Sequence, residues 1–177
     1  MTRRKYSAIR FPCLLGSLLV GFGARESTQP ATERESTAMS DPTPNSAHPA
    51  PSVYAQIGAA PFATLVELHY QRIDKDPRVR AMFPADLGPQ SEAVRNLREF
   101  FIQYFGGPQD YSARKGHPRL RARHMGFKID QAARDAWLEH ALASLDDSAA
   151  MHHIPAACKR EIGEYLFRVS QFMINTD

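Results

Sequence analysis

The stretch Lys115-Gly116-His117-Pro118-Arg119-Leu120-Arg121-Ala122-Arg123-His124-Met125-Gly126-Phe127 is the most informative part of the chain. It is basic, it is punctuated by Gly and Pro, and it carries two of the seven histidines. Upstream, Val94, Leu97, Phe101, Tyr104 and Phe105 recur at helical spacing and end at Gly106-Gly107-Pro108, a strong stop. Downstream, Asp130 suits the N-cap of a helix carrying Ala133, Trp137, Leu138, Ala141, Leu142 and Leu145. The basic stretch, read as irregular from Gln109 to Lys128, is therefore held between two helices. Further out, Phe62, Leu65, Val66, His69/Tyr70 and Ile73 form another stripe, opened by Pro61 and broken at Asp74-Lys75-Asp76-Pro77. A short segment from Val79 to Phe83 stops at Pro84. Pro155 opens a last helix with Ile162, Leu166, Val169, Phe172 and Met173 on one side. No segment alternates at period two, so the body reads as all-α.

The chain has 177 residues, of which 43% are hydrophobic and 23% charged, ordinary values for one globular domain. No apolar run reaches the roughly 18–20 residues that span a bilayer as a helix. The two cysteines, Cys13 and Cys158, exclude a disulfide framework and a Cys-rich zinc site. Cys158 reads as a small apolar residue of the last helix. The net charge of +3 resides wholly in residues 1–38, which hold six Lys/Arg and three Glu, so the remainder is balanced. Nucleic-acid binding is not expected of such a body.

Residues 1–51 read as a leader. A basic start, Met1–Arg10, precedes an apolar run, Phe11–Ala24, in the order of a secretory signal. Pro12 and three glycines interrupt that run, and a segment rich in Ser, Thr, Pro and Ala follows, too polar to build a core. Met39 is an alternative start. A cytoplasmic protein with a mis-assigned start and a periplasmic one with a working signal both remain open. The folded body is expected over residues 52–177.

There is no phosphate-cradling Gly-rich loop, no nucleophile elbow and no pair of histidines at metalloprotease spacing. His152-His153 reads as a polar loop before the last helix. The His117–Phe127 tract has two readings. In the plain one, a basic loop uses a histidine to cap a carbonyl. In the other, an imidazole for iron stands beside Met125, Phe127 and Ile129 for the faces of a porphyrin, with Arg or Lys for its propionates. The two flanking helices would enclose such a group.

Gly106-Gly107-Pro108 with Tyr111, His117–His124 with Phe127 and Ile129, and Arg134-Asp135-Ala136-Trp137-Leu138 together resemble the truncated haemoglobins of group II. His69-Tyr70 and Phe83-Pro84-Ala85-Asp86-Leu87 extend the resemblance, which covers roughly Tyr54 to Asn175. It implies a shortened globin, a two-over-two helical sandwich around haem b. By that resemblance His124 is the proximal iron ligand and His117 a structural histidine. Tyr70 and Trp137 are distal donors to a ligand on the iron, and Phe83 wedges against the haem face. Ala93 falls at the distal gate and Leu97 deeper over the iron, leaving no distal His or Gln. Phe127 lines the haem, and Arg123, then Arg121, would pair with a propionate. Where the family has a Gly-Gly pair near the start of the fold, this chain has Gly58-Ala59-Ala60.

The resemblance further implies O2 binding with slow release, because two donors stabilise the superoxide-like charge that develops on bound O2. That favours redox removal of nitric oxide or peroxide, with an external reductase, over bulk O2 transport. A haem-based gas sensor or a haem carrier acting through a separate partner is the alternative. The expected partners are O2, nitric oxide, peroxide and the reductase, with the chain a monomer or homodimer.

Overall fold

The computed structural model describes residues 50–176. The leader reading for residues 1–49 lies outside them. The described residues belong to one compact unit, Ser46–Asp177, and contain helices and no strand. Seven α-helices run in order: α1 Val53–Ile57, α2 Ala60–Ile73, α3 Glu92–Tyr104, α4 Asp110–Lys115, α5 Leu120–His124, α6 Gln131–His152 and α7 Ala156–Met173, with a 3-10 turn at Arg80–Met82 between α2 and α3.

Local chemistry sets the ends. The hydroxyls of Ser52 and Ser91 accept from the N–H groups of Ala55 (3.1 Å) and Val94 (3.3 Å), and the Asp130 carboxylate accepts from Ala133 (2.8 Å). Pro155 precedes α7, where its missing N–H costs nothing. At Gly106 the backbone takes φ +94°, and a Cβ there would fall 2.5 Å from the Ser52 Cβ. Its neighbour Gly107 would bring a Cβ 2.8 Å from the Ile102 carbonyl. The Gly-Gly pair therefore lets the end of α3 lie against the start of α1, where the Tyr54 N–H donates to the Phe105 carbonyl at 3.0 Å. Gly58 keeps a positive φ of 71°, while Ala59 is right-handed and unstrained, so Ala59-Ala60 opens α2 without the second glycine.

α2 packs on both α3 and α6, and α6 packs on α7, giving the two-over-two arrangement. Phe62, Leu65, Val66 and Ile73 of α2 meet Val94 and Phe101 of α3, Ala141 and Leu145 of α6, and Ile162 and Leu166 of α7 in one core. Burying each such side chain is worth about 1.5–3 kcal/mol. Ser148 is fully buried and donates to the Pro61 carbonyl at 2.8 Å, a small residue that lets α2 and α6 approach. Arg72 reaches across the same seam to Ser144 (3.0 Å) and ion-pairs with Asp147.

Three expectations change. The Gln109–Lys128 stretch contains two short helices, α4 and α5, of six and five residues. His152 is the last residue of α6, bonded at the surface to Thr64 of α2 at 2.8 Å, and only His153 leaves the helix, in the left-handed region. Phe172 does not join the core face of α7: it is 57% exposed.

Candidate functional site

α5 is a single turn, and the residue before it, Arg119, has a left-handed backbone (φ 42°, ψ 47°). Gly116 (φ 71°) and Pro118 break the chain before it, so His124 stands at the end of an isolated turn between α4 and α6. Its Nδ1 lies 2.7 Å from the Leu120 carbonyl. A carbonyl only accepts, so Nδ1 carries the proton and Nε2 keeps a free lone pair. Metal-binding imidazoles are held in this manner by the hydrogen bond of the other ring nitrogen.

His124 lines a cavity of about 290 Å³ whose walls come from six elements. α2 contributes Tyr70 and the 3-10 turn Met82, with Phe83 after it. Leu97, Phe100 and Phe101 enter from α3, Leu120 from α5, Trp137 from α6, and Tyr165, Val169 and Met173 from α7. Phe127 and Ile129 close the side after α5. The walls are overwhelmingly apolar, with a few polar groups that converge on the interior.

Tyr70 is buried, and burial pushes its hydroxyl up to about 12, so it remains a neutral donor. It donates to the Ala93 carbonyl over a long 3.3 Å, a weak bond that another acceptor can displace. Its ring meets Phe83 edge-on at 6.0 Å. Among the described residues no acceptor is bonded to the Trp137 indole N–H. Behind Trp137 lies His69, its ring edge-on at 5.1 Å. His69 is 1% exposed with neither ring nitrogen partnered, and burial pushes it down to about 3, so it is neutral.

The structure brings Tyr70, Phe83, Leu97, His124, Phe127 and Trp137 to one cavity. It does not bring Ala93, Arg121 or Arg123 to its wall. Ala93 packs against the core and offers only its carbonyl, to Tyr70. Arg123 folds back, donating to the carbonyls of Pro118 (2.8 Å) and Lys115 (2.9 Å), and so staples the turn that carries His124. Arg121 donates to the Phe172 carbonyl at 2.7 Å. His117 is exposed, and its Nδ1 accepts from the Arg119 N–H at 3.2 Å, a loop cap in keeping with a structural role.

Sequence reasoning missed three participants. Arg134 lines the cavity with its Nη2 buried and unpartnered, its Nε on Ser170 (3.2 Å) and its Nη1 on Asp135 (2.7 Å). Tyr165 also reaches the cavity with an unpartnered buried hydroxyl; its place three residues after Ile162 was the available signal. Asn175, beyond the end of α7, bonds the segment that follows His124, and nothing in the sequence marks it.

These residues fit a haem. Among the described residues no three His, Cys, Asp or Glu side chains gather to hold a bare ion. A lone imidazole with a free Nε2 in an apolar cavity suits a metal whose other ligands arrive with a macrocycle. The orphaned polar atoms of Arg134 and Tyr165 show that the interior is built to meet a guest with polar groups of its own.

Comparison with known proteins agrees. Residues 52–165 match the family model described as bacterial-like globin. The chain is 39% identical over 114 residues to the Group 2 truncated hemoglobin YjbI of Bacillus subtilis (strain 168), covering 64% of this chain and 78% of that protein. With the Two-on-two hemoglobin-3 of Arabidopsis thaliana it shares 36% over 99 residues, 55% of each chain. Among solved structures, the hemoglobin of the thermophilic phototrophic bacterium Chloroflexus aurantiacus superposes with a TM-score of 0.65 at 44% identity, over 71% of this chain and 98% of that one. The structure described as a truncated oxygen-avid haemoglobin from Bacillus subtilis gives 0.62 at 31%, over 70% and 99%. By fold, motif and similarity, with haem as its cofactor and diatomic gases as its ligands, this chain belongs to the bacterial-like globin family, among the group II two-on-two truncated haemoglobins.

Proposed function

We propose that this haemoglobin retains O2 and uses it to remove nitric oxide, with peroxide as a second substrate, rather than carrying O2 in bulk. The observation that supports this is the pair of donors, the Tyr70 hydroxyl and the Trp137 indole N–H, on an apolar cavity that also holds His124. The haem supplies the iron at which a diatomic molecule binds and through which one electron passes. His124 would hold that iron through Nε2, the nitrogen left free by the bond of Nδ1 to the Leu120 carbonyl. Tyr70 and Trp137 donate to the partial negative charge of the ligand. Phe83, Leu97 and Phe127 keep water away, which strengthens both hydrogen bonds. The net reaction joins O2 and nitric oxide, with one electron from an external reductant, into nitrate. Among similar solved structures, one from Bacillus subtilis is described as oxygen-avid, in keeping with retention of the ligand.

Two measurements test the proposal. The absorption spectrum of His124→Ala should lose the haem band and regain it on adding imidazole; a full spectrum without imidazole would remove His124 from the role. Mixing the oxygenated protein with nitric oxide should then yield about one nitrate per haem. Simple nitrosylation, with no nitrate, would overturn the turnover reading.

A further inference from the structure

Behind the haem cavity lies a second concavity, an open groove of about 570 Å³ that the family assignment does not use. Its floor is aromatic and exposed: Tyr104 at 48% and Phe172 at 57%. Its rim carries Arg119, Arg121, Arg168 and His117, and none of its lining residues is Asp or Glu. In a body whose charges sum to zero, that is a local cationic face. The Arg121 guanidinium lies 5.5 Å from the centre of the Phe172 ring and donates to the Phe172 carbonyl, which holds this side of the groove in shape.

The groove and the haem cavity share walls. Phe100, Leu120, Tyr165 and Val169 line both, so a single layer of side chains separates them. Tyr104 on the groove floor packs against Tyr165 with the rings tilted by 37° and their centres 3.9 Å apart, and Tyr165 meets Phe101 edge-on at 6.2 Å. A continuous aromatic path therefore runs from the exposed face to the cavity. Exposed aromatic residues at the centre with arginines at the rim are the composition of protein interfaces.

We infer that this groove docks an acidic, one-electron donor protein that re-reduces the haem, an inference that rests on the turnover reading above. Oxidation of nitric oxide leaves the iron ferric, and the described residues hold no electron donor of their own. The donor's carboxylates pair with Arg119 and Arg168, and the edge of its redox group, a flavin, faces Tyr104. In each encounter the partner's reduced flavin loses one electron and the ferric iron gains it, with no bond made or broken across the interface. Cationic steering of an acidic partner raises the association rate and makes it salt-dependent.

The test uses the full chain with photoreduced flavodoxin, an acidic one-electron flavoprotein, as probe, and photoreduced lumiflavin as a small uncharged reductant. Stopped-flow reduction by flavodoxin should fall at least tenfold in Arg119→Glu/Arg168→Glu and lose its salt dependence, while reduction by lumiflavin stays unchanged. Equal rates for wild type and variant with flavodoxin would overturn the inference. So would sedimentation showing a wild-type dimer that Phe172→Glu dissociates, since the face would then belong to a second copy. Amide shifts of residues 104, 119, 168 and 172 on adding oxidised flavodoxin read the docking directly. Shifts without haem reduction would overturn the donor role of the docked partner. Shifts with reduction but no nitrate from nitric oxide would remove the turnover reading alone, and nitrate production without shifts would remove the docking surface alone.

Discussion

The side chain of Asn175 holds the backbone of His124. Its Nδ2 donates to the His124 carbonyl at 3.3 Å and to that of Phe127 at 2.9 Å, and its Oδ1 accepts from the Ile129 N–H at 3.0 Å. The Asn175 N–H completes the clamp on the Ile129 carbonyl at 3.0 Å. A residue past the last helix thus fixes the exit of the one-turn α5, which has too little internal bonding to hold its own orientation. Asn175→Ala should cost about 0.5–1.5 kcal/mol, since water can meet part of what the amide leaves. Urea midpoints would read that loss, and haem transfer to an apoglobin acceptor should be faster. An unchanged transfer rate would separate the clamp from the iron ligand.

Tyr70 has one hydroxyl proton, and it points at Ala93 over 3.3 Å. A ligand in the cavity competes for that proton with a weak acceptor, so the exchange is favourable when the ligand carries negative charge. At about 1–1.5 kcal/mol per hydrogen bond, Tyr70→Phe should speed O2 dissociation by roughly five- to tenfold. The double variant Tyr70→Phe/Trp137→Phe should speed it by roughly one to two powers of ten. Flash photolysis with O2 measures both, and an unchanged rate in the double variant would sink the distal account.

The long helices are legible because each buries one face over three or more turns, so Phe62 to Ile73, Val94 to Phe105 and Ile162 to Met173 show their period. α4 and α5 complete barely one turn each, too few residues for any period to appear. His124, Tyr70, Phe83 and Trp137 are legible as a motif. The partners of Arg121 and Arg123 are not, because the carbonyls of Phe172, Pro118 and Lys115 that take their protons are placed by the folded backbone. Phe172 misled because its helical spacing suits the core, while its ring lies instead on the open groove under the Arg121 guanidinium.

Asp76 ties the end of α2 to α6. Its carboxylate accepts from Arg78 (2.6–3.0 Å) and lies 2.6 Å from the His140 Nε2, while Arg78 also reaches Glu139 at 3.0 Å. The bond to Arg78, then that to His140, holds the Asp76 carboxyl well below its ordinary 3.8. A carboxyl depressed by folding adds stability above its unfolded value and loses it as the pH falls through the folded one. Asp76→Asn should therefore lower the urea midpoint at pH 7, with the gap from wild type closing only below about pH 4. A gap that did not narrow at all between pH 4 and pH 2 would mean that the loss is one of packing, an outcome read on about the same scale of pH as the carboxyl's own titration.

His69 works in the opposite chemical sense and in a higher pH window. Burial holds the imidazole down at about 3 against an ordinary 6.5, with His140 and then Arg72 facing it as further charges that oppose protonation. Between those two values the unfolded chain binds a proton that the folded one refuses, so stability falls as the pH falls, by up to about 1.4 kcal/mol per pH unit. The ring has no hydrogen bond to lose. His69→Phe, which keeps a flat ring against Trp137 and Tyr70, should remove this slope and leave the protein more stable than wild type at pH 4–5. Urea unfolding from pH 7 to pH 4 reads it. An identical slope in the variant would show that the acid sensitivity arises elsewhere, while a flat one would show that a neutral imidazole behind Trp137 makes the protein sensitive to mild acid.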